Sequence, residues 1–138
     1  MRLIAQTLAG RGETNALTGD TRLGNAEATR ALDLARENED KLTECHALRV
    51  LGLIARADGL YREALRSGRA ALEIAITMQN QWMTAKAREE LGESLVTAGR
   101  PGEARTQLSA AIQTYAEMGA QSRADRLRRR IGKLAASG

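Results

Sequence analysis

The chain has 138 residues, one proline, no phenylalanine, one tryptophan and two tyrosines, a composition that favours helices over strands. Its length suits one domain, residues 1–138; the lone Cys45 cannot form an internal disulfide, and with a single histidine no cluster of metal-ligand spacing arises, so neither metal nor cofactor is expected. Net charge is +4, and neither an apolar run of 18 residues nor a signal-peptide-like start is present, so no membrane span or export is predicted and a reducing, cytoplasmic setting is expected.

In chain order, residues 1–40 form the weakest element. Gly10, Gly12, Thr14, Asn15 and Thr18 crowd a first helix with poor helix formers, and two interior glycines cost about 1 kcal/mol each relative to alanine. A frayed or kinked start is predicted. The repeat pattern described below begins close to Met1, which suggests a piece of a longer protein or an edge covered by another chain. Residues 41–80 read more cleanly. Ala47, Leu48, Leu51, Gly52, Ile54 and Ala55 recur at helical spacing and stop at Asp58-Gly59. A second helix from about Tyr61 carries Ala64, Leu65, Gly68, Ala71, Leu72 and Ala75 on one face, ending near Met78-Gln79-Asn80, where Asn80 suits a left-handed turn.

Residues 81–120 restate the unit: Ala87, Leu91, Gly92 and Leu95, a stop at Gly99, Pro101 set for a first helical turn, then Ala104, Leu108, Ala111 and Ile112. Residues 121–136 begin a fourth unit, with Ile131-Gly132 in the place of Leu51-Gly52 and Leu91-Gly92, and read as a terminal capping helix. Arg123, Arg126, Arg128, Arg129, Arg130 and Lys133 against Asp125 give residues 121–138 a charge of +5, leaving −1 for the rest. The basic character is local.

A shift of 40 residues superposes Gly12, Gly52, Gly92 and Gly132, then Gly19, Gly59 and Gly99, then Ala31, Ala71 and Ala111. A fixed period in this range is the signature of a solenoid. The fold expected is an all-α solenoid of three helical hairpins (1–40, 41–80, 81–120) and a C-terminal capping helix.

Leu51-Gly52, Gly59-Leu60-Tyr61, Ala64-Leu65 and Ala71-Leu72, with Leu91-Gly92, Gly99, Ala104 and Ala111, resemble the tetratricopeptide (TPR) repeat, which sets Leu-Gly in the first helix and small residues at two sites of the second. The first repeat departs from it, with Arg11 and Gly24 in place of Leu and Ala. The TPR period is about 34 residues, so each helix here is longer by close to one turn. Such long repeats are similar to those of bacterial, especially actinobacterial, signalling and transcriptional regulators. The resemblance implies a right-handed superhelix and a non-catalytic module for protein or peptide recognition, part of a cytoplasmic regulator.

It also places one stripe of each first helix on a concave face: Gln6, Ala9, Glu13 and Ala16; His46, Arg49, Leu53 and Arg56; Lys86, Glu89, Glu93 and Val96; Arg126, Arg129 and Lys133. Of these, His46, Arg49, Leu53, Arg56, Lys86, Glu89, Glu93, Arg126 and Arg129 are the candidate peptide-binding residues, with acidic groups of a partner facing Arg49 and Arg56 and basic ones facing Glu89 and Glu93. The TPR subclass that grips a C-terminal carboxylate is disfavoured, because the acidic third repeat would repel it.

Other readings are weaker. Cys45 and His46 are adjacent on a helix and point about 100° apart, which does not suit a nucleophile and its base, so no enzyme activity is expected. Trp82 reads as a filler of the junction between repeats more readily than as an interface anchor. The arginine stripe could meet phosphates, but no aromatic residue lies within it to stack bases, so nucleic-acid contact ranks low. The second reading is self-association, an identical chain covering the ragged first repeat to give a homodimer.

Overall fold

The backbone turns left-handed at every twentieth residue from 19 to 119: Gly19, Glu39, Gly59, Gln79, Gly99 and Gly119 have φ between 54° and 98°. At each turn the next amide donates to a carbonyl five positions back, as Asp20 does to Asn15 and Leu60 to Ala55, both at 2.8 Å. This is the Schellman closure, which satisfies the last carbonyls of a helix. The computed structural model describes residues 2–137, with side chains over 3–135, and the turns divide it into α1 (Arg2–Leu17), α2 (Thr21–Glu37), α3 (Lys41–Ala57), α4 (Tyr61–Thr77), α5 (Gln81–Thr97), α6 (Pro101–Glu117) and α7 (Gln121–Ser137).

The residue after each turn opens the next helix. Asp20, Asp40 and Asn80 accept from the amides of Leu23, Thr43 and Met83, and Pro101 stands in the first turn of α6. Asn80 is therefore an N-cap and Gln79 the left-handed residue, the reverse of the sequence expectation; the asparagine side chain gains a bond at the cap that it would lack in the turn.

Helices pair as α1/α2, α3/α4 and α5/α6, and each even helix packs on the following odd one. The odd helices also touch in succession, α1 on α3 and α3 on α5, whereas the even helices do not touch one another. The odd helices thus lie on the inner radius of a curved stack. The core between them is built from small residues, such as Ala31, Ala47, Ala71 and Ala75, and α7 is fixed to α6 by Leu108, Ala111, Tyr115, Leu127 and Leu134. The architecture is an α-solenoid, as the 40-residue period requires.

α1 runs unbroken, contrary to the predicted fraying. A Cβ on Gly24 would stand 2.8 Å from the carbonyl oxygen of Gly12, and one on Gly12 would stand 3.1 Å from that of Gly24. The glycines that weaken α1 as an isolated helix let it meet α2 backbone to backbone. Across the same contact the buried Glu27 accepts from Asn15 and lies 3.0 Å from Arg11 Nε, so its carboxylate is paired.

Both end faces of the stack carry polar groups where the inner repeats bury apolar ones, although α1 also exposes Leu3 and Leu17. Where α3 buries Ala47 and Ile54, α1 exposes Thr7 and Thr14 at the same register. Where α3 buries Cys45 and Leu48, α7 carries Asp125 and Arg128, paired at 2.8 Å, and a Cβ on Gly132 would meet nothing within 4 Å.

Candidate functional site

Ion pairs tie the odd helices together across the inner face. Glu13 of α1 lies 2.8 Å from His46 Nε2 and 3.7 Å from Arg49 Nη1, both on α3. Arg49 reaches forward to Glu90 of α5 at 3.8 Å. Arg56, about two turns further along α3, donates to the Glu90 carboxylate at 3.2 Å, to the Glu90 carbonyl at 3.0 Å and to Ser94 Oγ at 3.2 Å. The other side of α5 repeats the arrangement with signs reversed: Glu89 accepts from Tyr115 Oη at 2.9 Å and Arg126 at 2.8 Å, and Glu93 accepts from Arg130 Nε at 2.8 and 3.1 Å. These contacts span sequence separations of 26 to 41 residues, so they exist only in the folded stack.

Glu13 is the group most altered by this environment. Its hydrogen bond with His46 is the main cause, outweighing burial and aided by the charges of Arg49, His46 and Lys86, and holds it at about 2 against an ordinary 4.5. A carboxylate with a depressed pKa stabilises the fold above its unfolded value, and that stabilisation is lost as pH falls from about 4.5 toward 2. Urea denaturation is expected to show Glu13→Gln roughly 1–2 kcal/mol less stable than the parent at about pH 6, with the gap narrowing below about pH 4.5 and closing only toward pH 2. A gap independent of pH would contradict this account of Glu13.

Other groups on the face are fixed in the opposite sense. Burial pushes the Cys45 thiol up to about 11, and its Sγ donates to the Ala71 carbonyl at 3.3 Å, so it is a packing group and not a thiolate. Burial and the neighbouring Glu89 carboxylate raise the Tyr115 hydroxyl, keeping it a donor, and the bond to Glu93 raises the Arg130 guanidinium.

The candidate residues separate into groups. His46, Arg49 and Arg56 stand in the α1/α3/α5 ladder; Glu89, Glu93 and Arg126 stand in the α5/α7 ladder; Leu53 is half-buried on α3, and Arg129 is exposed on α7. Lys86 makes no ion pair among the described residues. Glu90 and Arg130, absent from the sequence-derived set, carry as many bonds as the residues in it. The acids Glu89 and Glu93 are neutralised by α7, which removes most of the repulsion the sequence suggested they would exert on a carboxylate.

Between the N-terminal halves of α3 and α5 the face opens into a cleft of about 220 Å³. Leu42, Trp82 and Met83 form its apolar wall; His46, Arg49 and Lys86 line the rest, over Cys45. Trp82 is 39% exposed. It meets Tyr115 edge to face at 5.6 Å between centroids, and the Arg123 guanidinium sits 4.6 Å from its ring. Trp82 is thus both a junction residue joining α5, α6 and α7 and an exposed aromatic wall. Leu42 and Trp82 stand 40 residues apart, the signal in the sequence that could have found the cleft.

No protein-family model matches the chain, and no curated protein matches it. Among solved structures it is similar to a Rap protein crystallised in complex with competence and sporulation factor, at a TM-score of 0.80 and 20% identity. The match covers 96% of this chain and 42% of the Rap chain, so the chain spans less than half the length of that protein. The likeness establishes a TPR-like helical-repeat fold. No helix among the described residues is long and apolar enough to cross a membrane.

Proposed function

We propose that this chain is a non-catalytic module that binds a protein or peptide along the inner face of α1, α3, α5 and α7, as part of a bacterial cytoplasmic regulator. The observation that carries the reading is the cleft: a partly exposed aromatic wall beside cations, on a surface whose other charges are held in place by ion pairs. A surface ordered in advance binds with less entropic loss than one that must assemble. The crystallised complex of the Rap protein with competence and sporulation factor supports a binding role for this fold. Self-association through the first repeat is the second reading: the outward face of α1 carries the exposed Thr7 and Thr14 at its middle and the exposed Leu3 and Leu17 at its ends. Of the arginines of α7, only Arg129 lacks a partner among the described residues, which weighs against phosphate binding.

A peptide array probed with the chain is expected to yield binders whose affinity falls at least tenfold in the Arg49→Ala/Glu93→Ala double variant. Circular dichroism would establish that the variant is folded. Binders that ignore both substitutions would overturn the assignment of the inner face, and an array without binders would overturn the reading itself.

A further inference from the structure

Resting on that reading, we propose that the cleft between α3 and α5 is its anchor subsite and takes an apolar side chain with a carboxylate beside it, so that the partner is an acidic segment bearing a leucine-like residue next to its acid. Three observations carry this. First, the apolar wall is open yet rigid: Leu42 is 46% exposed, and Trp82 is clamped from behind by Arg123 and Tyr115 instead of being free to fold over the cleft. At about 220 Å³ the space suits one or two side chains and is small for a drug-sized molecule.

Second, the charges around the cleft do not cancel. Glu13 and Glu90 serve Arg49 and Arg56, and Lys86 is left without an ion pair among the described residues. Third, Arg49 is 11% exposed, and its two acid contacts, at 3.7 and 3.8 Å, are longer than good charge-assisted bonds. A guanidinium has five donors, so Arg49 can donate to a further oxygen without releasing either acid. An incoming carboxylate would meet Lys86 and Arg49 while its neighbouring side chain lies against Trp82. The nearest acids on the far side of α5, Glu89 and Glu93, are neutralised by α7 and do not oppose it.

Trp82 is the only tryptophan in the chain, so its emission reports the cleft directly. The probes are N-acetylated, C-amidated dodecapeptides in a Gly/Ser/Ala background carrying Leu-Glu, Leu-Gln or Ser-Glu at the centre. The Leu-Glu peptide is expected to bind at least tenfold tighter than either control, to shift Trp82 emission, and to weaken as salt rises. In Lys86→Glu the preference should invert toward a Leu-Lys peptide. Should that variant fold poorly, Lys86→Gln is expected to bring Leu-Glu and Leu-Gln within threefold of each other. Equal affinity of the three probes, or an unchanged preference in either Lys86 variant, would overturn the proposal. If the peptide array gives inner-face binders but Leu-Glu has no advantage, the subsite alone is wrong; if the array gives none, the reading beneath it fails as well.

Discussion

Replacing Tyr115 with alanine is expected to lower the unfolding free energy by about 4 kcal/mol, the largest single effect among the substitutions considered. Tyr115 is fully buried and is the largest of the fully buried side chains. It sits where α6 receives α7, among Leu108, Ala111, Ala124 and Leu127. Alanine would leave a cavity lined by residues of two helices that are joined by a tight turn and cannot simply close up. The change also removes the edge-to-face partner of Trp82 and the hydroxyl that Glu89 accepts from. Tyr115→Phe separates these losses: it keeps the ring and should cost about 1–2 kcal/mol, the range for a hydrogen bond to a charged acceptor left unmade. Guanidinium denaturation followed by circular dichroism and by Trp82 emission checks both variants. A loss below about 1 kcal/mol for the alanine variant would mean that the α6/α7 junction repacks freely.

The second large effect has a sign that helix propensity alone would get wrong. Gly24→Ala is expected to destabilise the chain by about 2 kcal/mol, although alanine is the better helix former by about 1 kcal/mol. The added Cβ would stand 2.8 Å from the Gly12 carbonyl oxygen and 3.1 Å from the Ala16 amide nitrogen. Both are backbone atoms, so one whole helix must move. Gly10, on α1 in the same hairpin, has nothing within 4 Å of an added Cβ, and Gly10→Ala should therefore stabilise by about 1 kcal/mol. The pair of midpoints in thermal or urea unfolding should move in opposite directions. Two stabilising substitutions would show that α1 and α2 are not in backbone contact.

That contrast marks where the sequence could be read and where it could not. Gly19, Gly59 and Gly99 announce three of the turns, because glycine is the residue that enters left-handed backbone at least cost. The turns at Glu39 and Gln79 have no glycine; the second was signalled only through its neighbour Asn80. Gly12 and Gly24 looked like defects since a sequence shows propensity but not what a helix packs against; the close approach that needs them appears only once α2 is in place. Of the stripe residues expected on the inner face, His46, Arg49, Arg56, Glu89, Glu93 and Arg126 lie in the inter-helix ladders, whereas Ala9 is buried in the core. Their pairing was not legible. Arg49 and Arg56, expected to face acidic groups of a partner, meet Glu90 of the same chain, one residue and about 100° from the stripe residue Glu89, because partner choice across the stack depends on the relative rotation of α3 and α5. For the same reason the arginines of α7 read as a stripe free to meet a partner or phosphates, whereas Arg123, Arg126 and Arg130 turn back toward α5 and α6.

Those backward-turning arginines make the last helix a different kind of joint from the others. α1 stands directly against α3 and α3 against α5, but α7 is packed on α6 and spans to α5 through side chains. Beside an apolar cluster that Ala85 of α5 shares with Ala124 and Leu127 of α7, the two helices are held by the reach of extended guanidinium groups, a grip that ionic strength loosens. Curvature at that end of the solenoid can respond to the salt around it while the small-residue packing of the first two hairpins stays as it is.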